Sequence, residues 1–229
     1  LTASFRSDGS SKFTDENKWA TFLSGALAWR ASEEQFIKDL NIFSNLKFRV
    51  SYGETGNQGI GSYRINSQLD TANFPFGGSL SSGAADVAWR GPVDPNIKWE
   101  TTKQWNAGID FGWFKNRLTL TVDFYWKKTR DLLQEVIIAP SNGFSNMLTN
   151  TGNVTNKGLE ITIGATPIDS KDWKWNLNGN IAFNKNSIGG LEGDQFARTL
   201  WYGADNIFIQ RNGCPIGAIY GYVEDGFYN

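Results

Sequence analysis

Residues 173–184 read Trp-Lys-Trp-Asn-Leu-Asn-Gly-Asn-Ile-Ala-Phe-Asn. Trp173, Trp175, Leu177, Gly179, Ile181 and Phe183 alternate with Lys174, Asn176, Asn178, Asn180, Ala182 and Asn184. A two-residue period puts the first set on one face of a β-strand and the second on the other. The face built from asparagine and lysine cannot line a dry core, because each polar group buried without a partner costs several kcal/mol (roughly 2–7). The apolar face must therefore meet a hydrophobic phase, and the polar face water or a polar plug. A strand in the wall of a membrane β-barrel has these two faces.

The same alternation recurs along the chain. Leu159, Ile161, Ile163 and Ala165 oppose Glu160, Thr162, Gly164 and Thr166, and a turn near Asp169 to Asp172 joins them to the strand above as a hairpin. Upstream, Ala107, Ile109, Phe111 and Trp113 oppose Asn106, Gly108, Asp110 and Gly112. After a tight turn at Lys115, Asn116 and Arg117, Leu118, Leu120, Val122, Phe124 and Trp126 oppose Thr119, Thr121, Asp123 and Tyr125. Leu46, Phe48, Val50 and Tyr52 alternate with Lys47, Arg49 and Ser51, and Leu23, Gly25, Leu27 and Trp29 with Ser24, Ala26, Ala28 and Arg30. Leu1 to Phe5 read as the tail of a further strand, which makes about seven, most long enough for the roughly 9–11 residues of a tilted membrane strand. Ser32 to Asp39 has mildly helical character and reads as part of a turn.

Connections after Trp29, Phe114 and Thr166 are shorter; those after Gly53, Leu133 and Phe183 are long and rich in Gly, Asn and Ser. Short periplasmic turns and long extracellular loops have this asymmetry, and it directs the strand that starts at Leu46 outward. Trp29, Trp105, Trp113, Trp126 and Trp173 lie near strand ends and suit interfacial girdles, where an indole keeps its N–H wet and its ring in hydrocarbon. In the long connections, Phe74, Phe76, Trp89, Trp201, Tyr202 and Phe208 are the candidate surfaces for stacking on substrate or meeting a lid. Packing of the loops against one another explains them as well.

Composition sets further bounds. With 22 Lys plus Arg against 23 Asp plus Glu the net charge is -1, which gives no reason to expect nucleic acid as a partner. No run of eighteen apolar residues and no signal peptide are present, so helical spans are excluded and an export signal is expected upstream of Leu1. Barrel strands hide their hydrophobicity in alternation, so 40% hydrophobic residues and a mean hydropathy of -0.40 are compatible with a membrane protein. The chain has no histidine and one cysteine, Cys214, which removes the usual zinc sites and histidine-based triads. No cofactor or metal is expected. A start at Leu1 without methionine and a stop at Asn229 in mid-pattern lead us to expect a piece of a longer protein.

Several strings, in order, resemble the barrel of SusC/RagA-like TonB-linked outer-membrane proteins. They are SFRSDGSSKF at 4–13, RVSYGETGNQ at 49–58, DPNIKWETTKQWNAGIDF at 94–111, RLTLTVDFYWKKTRDLL at 117–133 and NTGNVTNKGLEITI at 150–163, followed by GAIYGYVEDGFY at 217–228. The resemblance implies an all-β fold in which residues 1–229 are about seven strands of a 22-stranded, plugged, antiparallel transmembrane β-barrel. On that resemblance the plug, the TonB-contacting segment and the closing C-terminal strand are expected to lie outside the sequence. It further implies a multi-pass protein in the outer membrane of a Gram-negative bacterium. Its expected partners are the TonB complex, a SusD-like surface lipoprotein, outer-membrane lipid, and an oligosaccharide or peptide cargo.

Two other readings are weighed against this one. A soluble β-sandwich acting as a carbohydrate-binding module explains the alternation equally well, but explains less well the strand lengths, the polar ladders and the alternation of loop lengths. A glycan-cleaving enzyme would use Asp110 and Asp123, on the polar faces of adjacent strands, as acid and base; lining a hydrated lumen is the simpler role. Glu100, beside Trp99, reads as part of the structural re-entry from the longest loop, and the Asn153-Val154-Thr155 sequon carries little meaning in a bacterial protein.

Overall fold

A computed structural model describes residues 1–66, 69–76, 79–86, 91–139, 141, 143–144, 146–197, 208–221 and 226, with 69–76 and 79–86 as backbone. The strands are β1 (Thr2–Gly9), β2 (Trp19–Arg30), β3 (Asn45–Asn57), β4 (Leu69–Phe76), β5 (Ser79–Asp86), β6 (Glu100–Trp113) and β7 (Leu118–Arg130). They continue with β8 (Leu133–Ile137), β9 (Asn146–Asn150), β10 (Asn153–Asp169), β11 (Lys174–Gly189), β12 (Gln195–Ala197), β13 (Phe208–Gln210) and β14 (Ala218–Ile219). One antiparallel sheet in the order β1-β2-β3-β6-β7-β10-β11 forms the body. No described helix is long and apolar enough to cross a membrane. A single-turn helix, α1 (Gln35–Lys38), follows a 3-10 turn at Ala31–Glu33 in the connection where the sequence shows mild helical character.

The register aligns the two faces across all the central strands. Leu27, Val50, Ala107, Phe124, Leu159 and Phe183 are successive cross-strand partners, and so are Trp29, Phe48, Ile109, Val122, Ile161 and Ile181. One residue out of phase run Ala28, Arg49, Gly108, Asp123, Glu160 and Ala182. A slip of one residue in any pair would place a charge in the apolar rows, so alternation on every strand specifies this register. The apolar face is left open: Leu27, Val50, Phe124, Ile181 and Phe183 are all exposed.

Turns and loops differ between the two ends of the sheet. At one end are the connection 31–44 and the tight turns 114–117 and 170–173; at the other are the long connections 58–99 and 131–152. In the 114–117 turn, Phe114, Lys115 and Asn116 all have positive φ (52°, 57° and 63°), a left-handed run disfavoured for residues with a Cβ by roughly 1–2 kcal/mol each. Ser44 Oγ accepts the Lys115 N–H at 2.7 Å, and the Arg117 N–H donates to Phe114 O at 3.2 Å, so the run is held from both sides. Near the other tight turn the β10–β11 register shifts between Ala165 and Ile168. Pro167, which has no N–H to give the ladder, sits in that bulge. Arg117 caps it, donating to Thr166 O at 3.1 Å and Pro167 O at 2.6 Å.

The long-connection end contains structure that loop-like composition concealed. Hairpins β4–β5 and β8–β9 stand inside connections that read as Gly, Asn and Ser-rich loops. At this end lies the main buried cluster, Phe13, Phe22, Ile60, Ile97, Trp99 and Leu148, assembled from three connecting segments and the two strands β2 and β9. Trp99 lies 5.2 Å from Phe13 and 6.0 Å, edge-on, from Phe22, and its indole N–H donates to Lys18 O at 3.3 Å. Gly56 makes the approach feasible, since a Cβ there would fall 2.2 Å from the Phe22 ring.

Candidate functional site

The polar face of β3, β6, β7, β10 and β11 carries three groups of side-chain hydrogen bonds. Arg49 projects from β3 across two strands: Nε and Nη2 donate to the two oxygens of Asp110 at 2.9 and 3.0 Å, and Nη2 also donates to Asp123 Oδ1 at 3.0 Å. Thr121 Oγ1 donates to Asp110 Oδ1 at 3.1 Å. Reaching Asp123 means passing over Gly108, where a Cβ would sit 2.2 Å from Asp123 Oδ1 and 2.9 Å from Arg49 Nη2. Only a residue without a side chain leaves room for this crossing.

The same device recurs two strands on. Tyr125 OH donates to Asn184 Oδ1 at 2.8 Å, lying over Gly158, where a Cβ would meet the tyrosine ring at 2.6 Å. Toward the long loops, Gln104 Nε2 donates to Asn106 Oδ1 at 2.8 Å and Asn106 Nδ2 to Ser51 Oγ at 3.1 Å. Between these groups lies an open recess of about 640 Å³, bordered also by Lys127, Asn156 and Glu160. Its donors and acceptors suit water, hydroxyls and amides. Asp110 and Asp123 share one guanidinium, so the arrangement is a three-strand electrostatic clamp, and the carboxylates are occupied in it.

The residues singled out from sequence fall into two groups. Trp29, Trp105 and Trp173 stand exposed on the sheet (46, 49 and 78%), while Trp113 and Trp126 are half-buried among neighbours. Trp105 packs against Tyr52 at 4.6 Å and is the register partner of Trp126; Trp113 stacks on Phe111 at 5.3 Å. Of the loop aromatics, Phe208 is half-buried in β13. Trp89, Trp201 and Tyr202, and the side chains of Phe74 and Phe76, lie outside the described residues. Glu100 opens β6, where Oε1 accepts from Asn57 Nδ2 at 3.2 Å and Oε2 from the Leu133 N–H at 3.3 Å, so it pins the re-entry of the longest connection. Cys214 is a free thiol in a turn whose backbone bonds Ile188. Arg49 as the hub escaped the sequence reading, although its parity matched that of Asp110 and Asp123. The missing information was the long-range β3–β6 register.

A model of the TonB dependent receptor-like beta-barrel family matches residues 1–211. This chain belongs to that family. It is 39% identical over 236 residues to the TonB-dependent receptor SusC of Bacteroides thetaiotaomicron, a match covering 100% of this chain and 23% of that protein. To the TonB-dependent receptor P3 of Formosa agariphila it is 37% identical over 235 residues, again over 100% of this chain and 23% of the relative. Among solved structures, the RagAB peptide transporter superposes with a TM-score of 0.77 at 28% identity, covering 93% of this chain and 23% of the other. The RagAB peptide importer in the open-open state gives 0.78 at 28%, covering 93% and 22%. The chain thus spans about a quarter of the length of the relatives it matches. As a TonB-dependent receptor segment its all-β sheet is barrel wall, with the Arg49 network on the polar side.

Proposed function

We propose that this chain forms part of the wall of an outer-membrane importer of oligosaccharides or other large nutrients such as peptides. It would be energised by the TonB complex through regions beyond this segment, and work with a SusD-like surface lipoprotein. The carrying observation is the segregation of faces: rows of exposed Leu, Ile, Val, Phe and Trp on one side, and the Arg49–Asp110–Asp123 and Tyr125–Asn184 networks on the other. A soluble sandwich would have to bury those apolar rows, and here they are open. In this reading the apolar rows meet lipid, the polar network lines a hydrated lumen, and the wall takes no part in bond chemistry. Trp105 and Trp126 with Tyr52 form the girdle on the long-loop side, and Trp113 and Trp173 the girdle on the short-turn side, while Trp29, at the end of β2, shares the row of Phe48 and Ile109 nearer the middle of the band. Trp105 and Trp113 are separated by about 27 Å along the strand at 3.4 Å per residue, or about 21 Å of height at a 40° tilt, near the roughly 25 Å apolar band of such barrels.

The peptide reading follows from the likeness to the RagAB peptide transporter, and the oligosaccharide reading from the resemblance of the sequence to SusC/RagA-like proteins. Uptake separates them. Cells lacking the full-length gene are grown on single oligosaccharides or on peptides as the limiting nutrient, and loss of growth on one class assigns it. Wall placement is tested separately with single cysteines in the full-length protein in whole membranes. Asn178→Cys is expected to react with a membrane-impermeant maleimide once the outer face is permeabilised, and Leu177→Cys only with a lipid-soluble one. Equal reaction of both with the impermeant reagent overturns the lipid-facing assignment.

A further inference from the structure

Just beyond the Tyr52–Trp105–Trp126 row, on the same apolar-side parity, the outer surface changes character. Trp126 is the register partner of Lys157, and Lys157 that of Lys185; one row further, Lys103 is opposite Lys128, and Lys128 opposite Thr155. Four lysines therefore run diagonally over β6, β7, β10 and β11, in two directly opposed pairs. Like charges directly opposite in a sheet repel. Among the described residues only one of them is neutralised: Lys103 Nζ lies 2.7 Å from Glu54 Oε1.

The strands flanking Lys128 and Lys157 on both sides are described, and apart from Glu54 they offer these lysines no acidic neighbour on this face, where Thr101, Arg130, Asn153 and Ser187 are the other polar residues. The acids of the adjoining loop are engaged elsewhere, Asp131 with Lys98 at 3.2 Å and Glu135 with Arg64 at 3.6 Å. Register is imposed by the apolar rows below, so the lysines cannot slip apart. Among the described residues no carboxylate pairs with Lys128, Lys157 or Lys185, and the three stand at the height where a lipid headgroup meets the aromatic row.

We propose that Lys128, Lys157 and Lys185, bordered by Lys103 and by the hydroxyls of Thr155 and Ser187, form a binding site on the outer wall for the phosphomonoester groups of a glycolipid headgroup. The inference rests on the reading that the apolar rows face lipid. Charge selects the class: three positive charges with no acidic partner among the described residues are met by phosphomonoesters at roughly -1.5 to -2 each, and poorly by one phosphodiester at about -1. Lysine serves as a phosphate-binding point charge, and the tryptophans beneath are placed to seat at the acyl boundary. The long-loop side of the sheet places the site in the outward leaflet.

The test uses the full-length protein, wild type and a K128Q/K157Q/K185Q triple variant, with K171Q in the opposite turn as control. Each is reconstituted in phosphatidylethanolamine nanodiscs doped with bisphosphorylated lipid A or with phosphatidylglycerol, and bound lipid is quantified by native mass spectrometry after detergent exchange. Wild type and K171Q are expected to retain lipid A, with the triple variant weakened by about 100-fold, roughly fivefold per lysine at an anionic surface. Equal retention of lipid A by wild type and triple variant overturns the site, and so does a preference for phosphatidylglycerol. Inorganic phosphate at millimolar concentration, added during exchange, is expected to leave retention unchanged; displacement by phosphate alone would show a free-anion site and overturn the lipid assignment. Incorporation of all three proteins into nanodiscs is scored independently, so failure to insert counts against the lipid-facing reading, and insertion without lipid A selectivity against this inference alone.

Discussion

Arg49 shows how a single side chain ties the wall together. It bridges β3 to β6 and β7 while more than a third of its side chain stays exposed (37%), so its pairings are screened by lumen water. A double-mutant cycle on Arg49→Met and Asp123→Asn, read by denaturant unfolding of the full-length protein in detergent, is expected to give a coupling of about 1 kcal/mol that shrinks in high salt. A coupling indistinguishable from zero at low salt would show that the guanidinium does not hold Asp123. Gly108→Ala should remove the same coupling with Arg49 and Asp123 both in place, because the added methyl occupies the crossing point. From the sequence, parity put Arg49, Asp110 and Asp123 on the polar face, and that placement holds. That they meet was not legible, since alternation fixes which face a side chain takes and leaves open its distance along a partner strand reached through a connection as long as 58–99.

At the scale of elements, the wall and the cap over its long-connection end differ in what holds them. The strands rest on ladder hydrogen bonds and aligned rows, whereas the cap rests on the Phe13–Phe22–Trp99 cluster, with Ile97 fully buried at its centre. Trp99→Ala removes a large buried ring, a class of change that costs about 3–5 kcal/mol. Hydrogen exchange is expected to rise in residues 10–18, 58–66 and 91–99 while β6, β7 and β10 keep their protection; uniform loss across the wall strands would show that the cap and wall unfold as one. Six wall strands were readable from alternation and the first as the tail of a strand, but the hairpins β4–β5 and β8–β9 were not readable, because short strands of mixed small and polar residues carry no clear period. The small β12–β13 hairpin outside the wall is clasped by Arg211, whose Nε donates to both oxygens of Asp194 at 3.0 Å, and this bond holds the Asp194 carboxyl below its ordinary value. A carboxyl whose folded pKa is depressed stabilises the clasp above its ordinary value of 3.8 and loses that contribution as the pH falls through the lower folded value. Carboxyl-carbon titration with labelled aspartate should show Asp194 returning toward the ordinary range in Arg211→Gln, and an unchanged titration would dissociate the shift from Arg211.

For the whole molecule, the decisive physics is the medium on each side of one sheet. Ile161 and Thr162 are neighbours in β10 with the same backbone and opposite faces, and Ile161 lies in the row that contains Ile109, midway between Trp105 and Trp113. A lysine at the midplane of a lipid-facing row costs about 2–4 kcal/mol, falling to about 0–1 near the interface, whereas a lumen position tolerates charge. In full-length protein refolded into bilayers, Ile161→Lys is therefore expected to lose about 2–4 kcal/mol and Thr162→Lys well under half of that. The native chain already shows the shallow end of this gradient, since Lys157 and Lys185 occupy the same face a few residues farther on. Thickness supplies the discriminating variable: in shorter-chain lipid the hydrocarbon layer thins, the interface moves closer to residue 161, and the cost of Ile161→Lys should fall. A protein core has no such adjustable boundary, so a cost for Ile161→Lys independent of acyl-chain length would mean that the apolar rows pack against protein, and the wall would then have to be read as one layer of a sandwich.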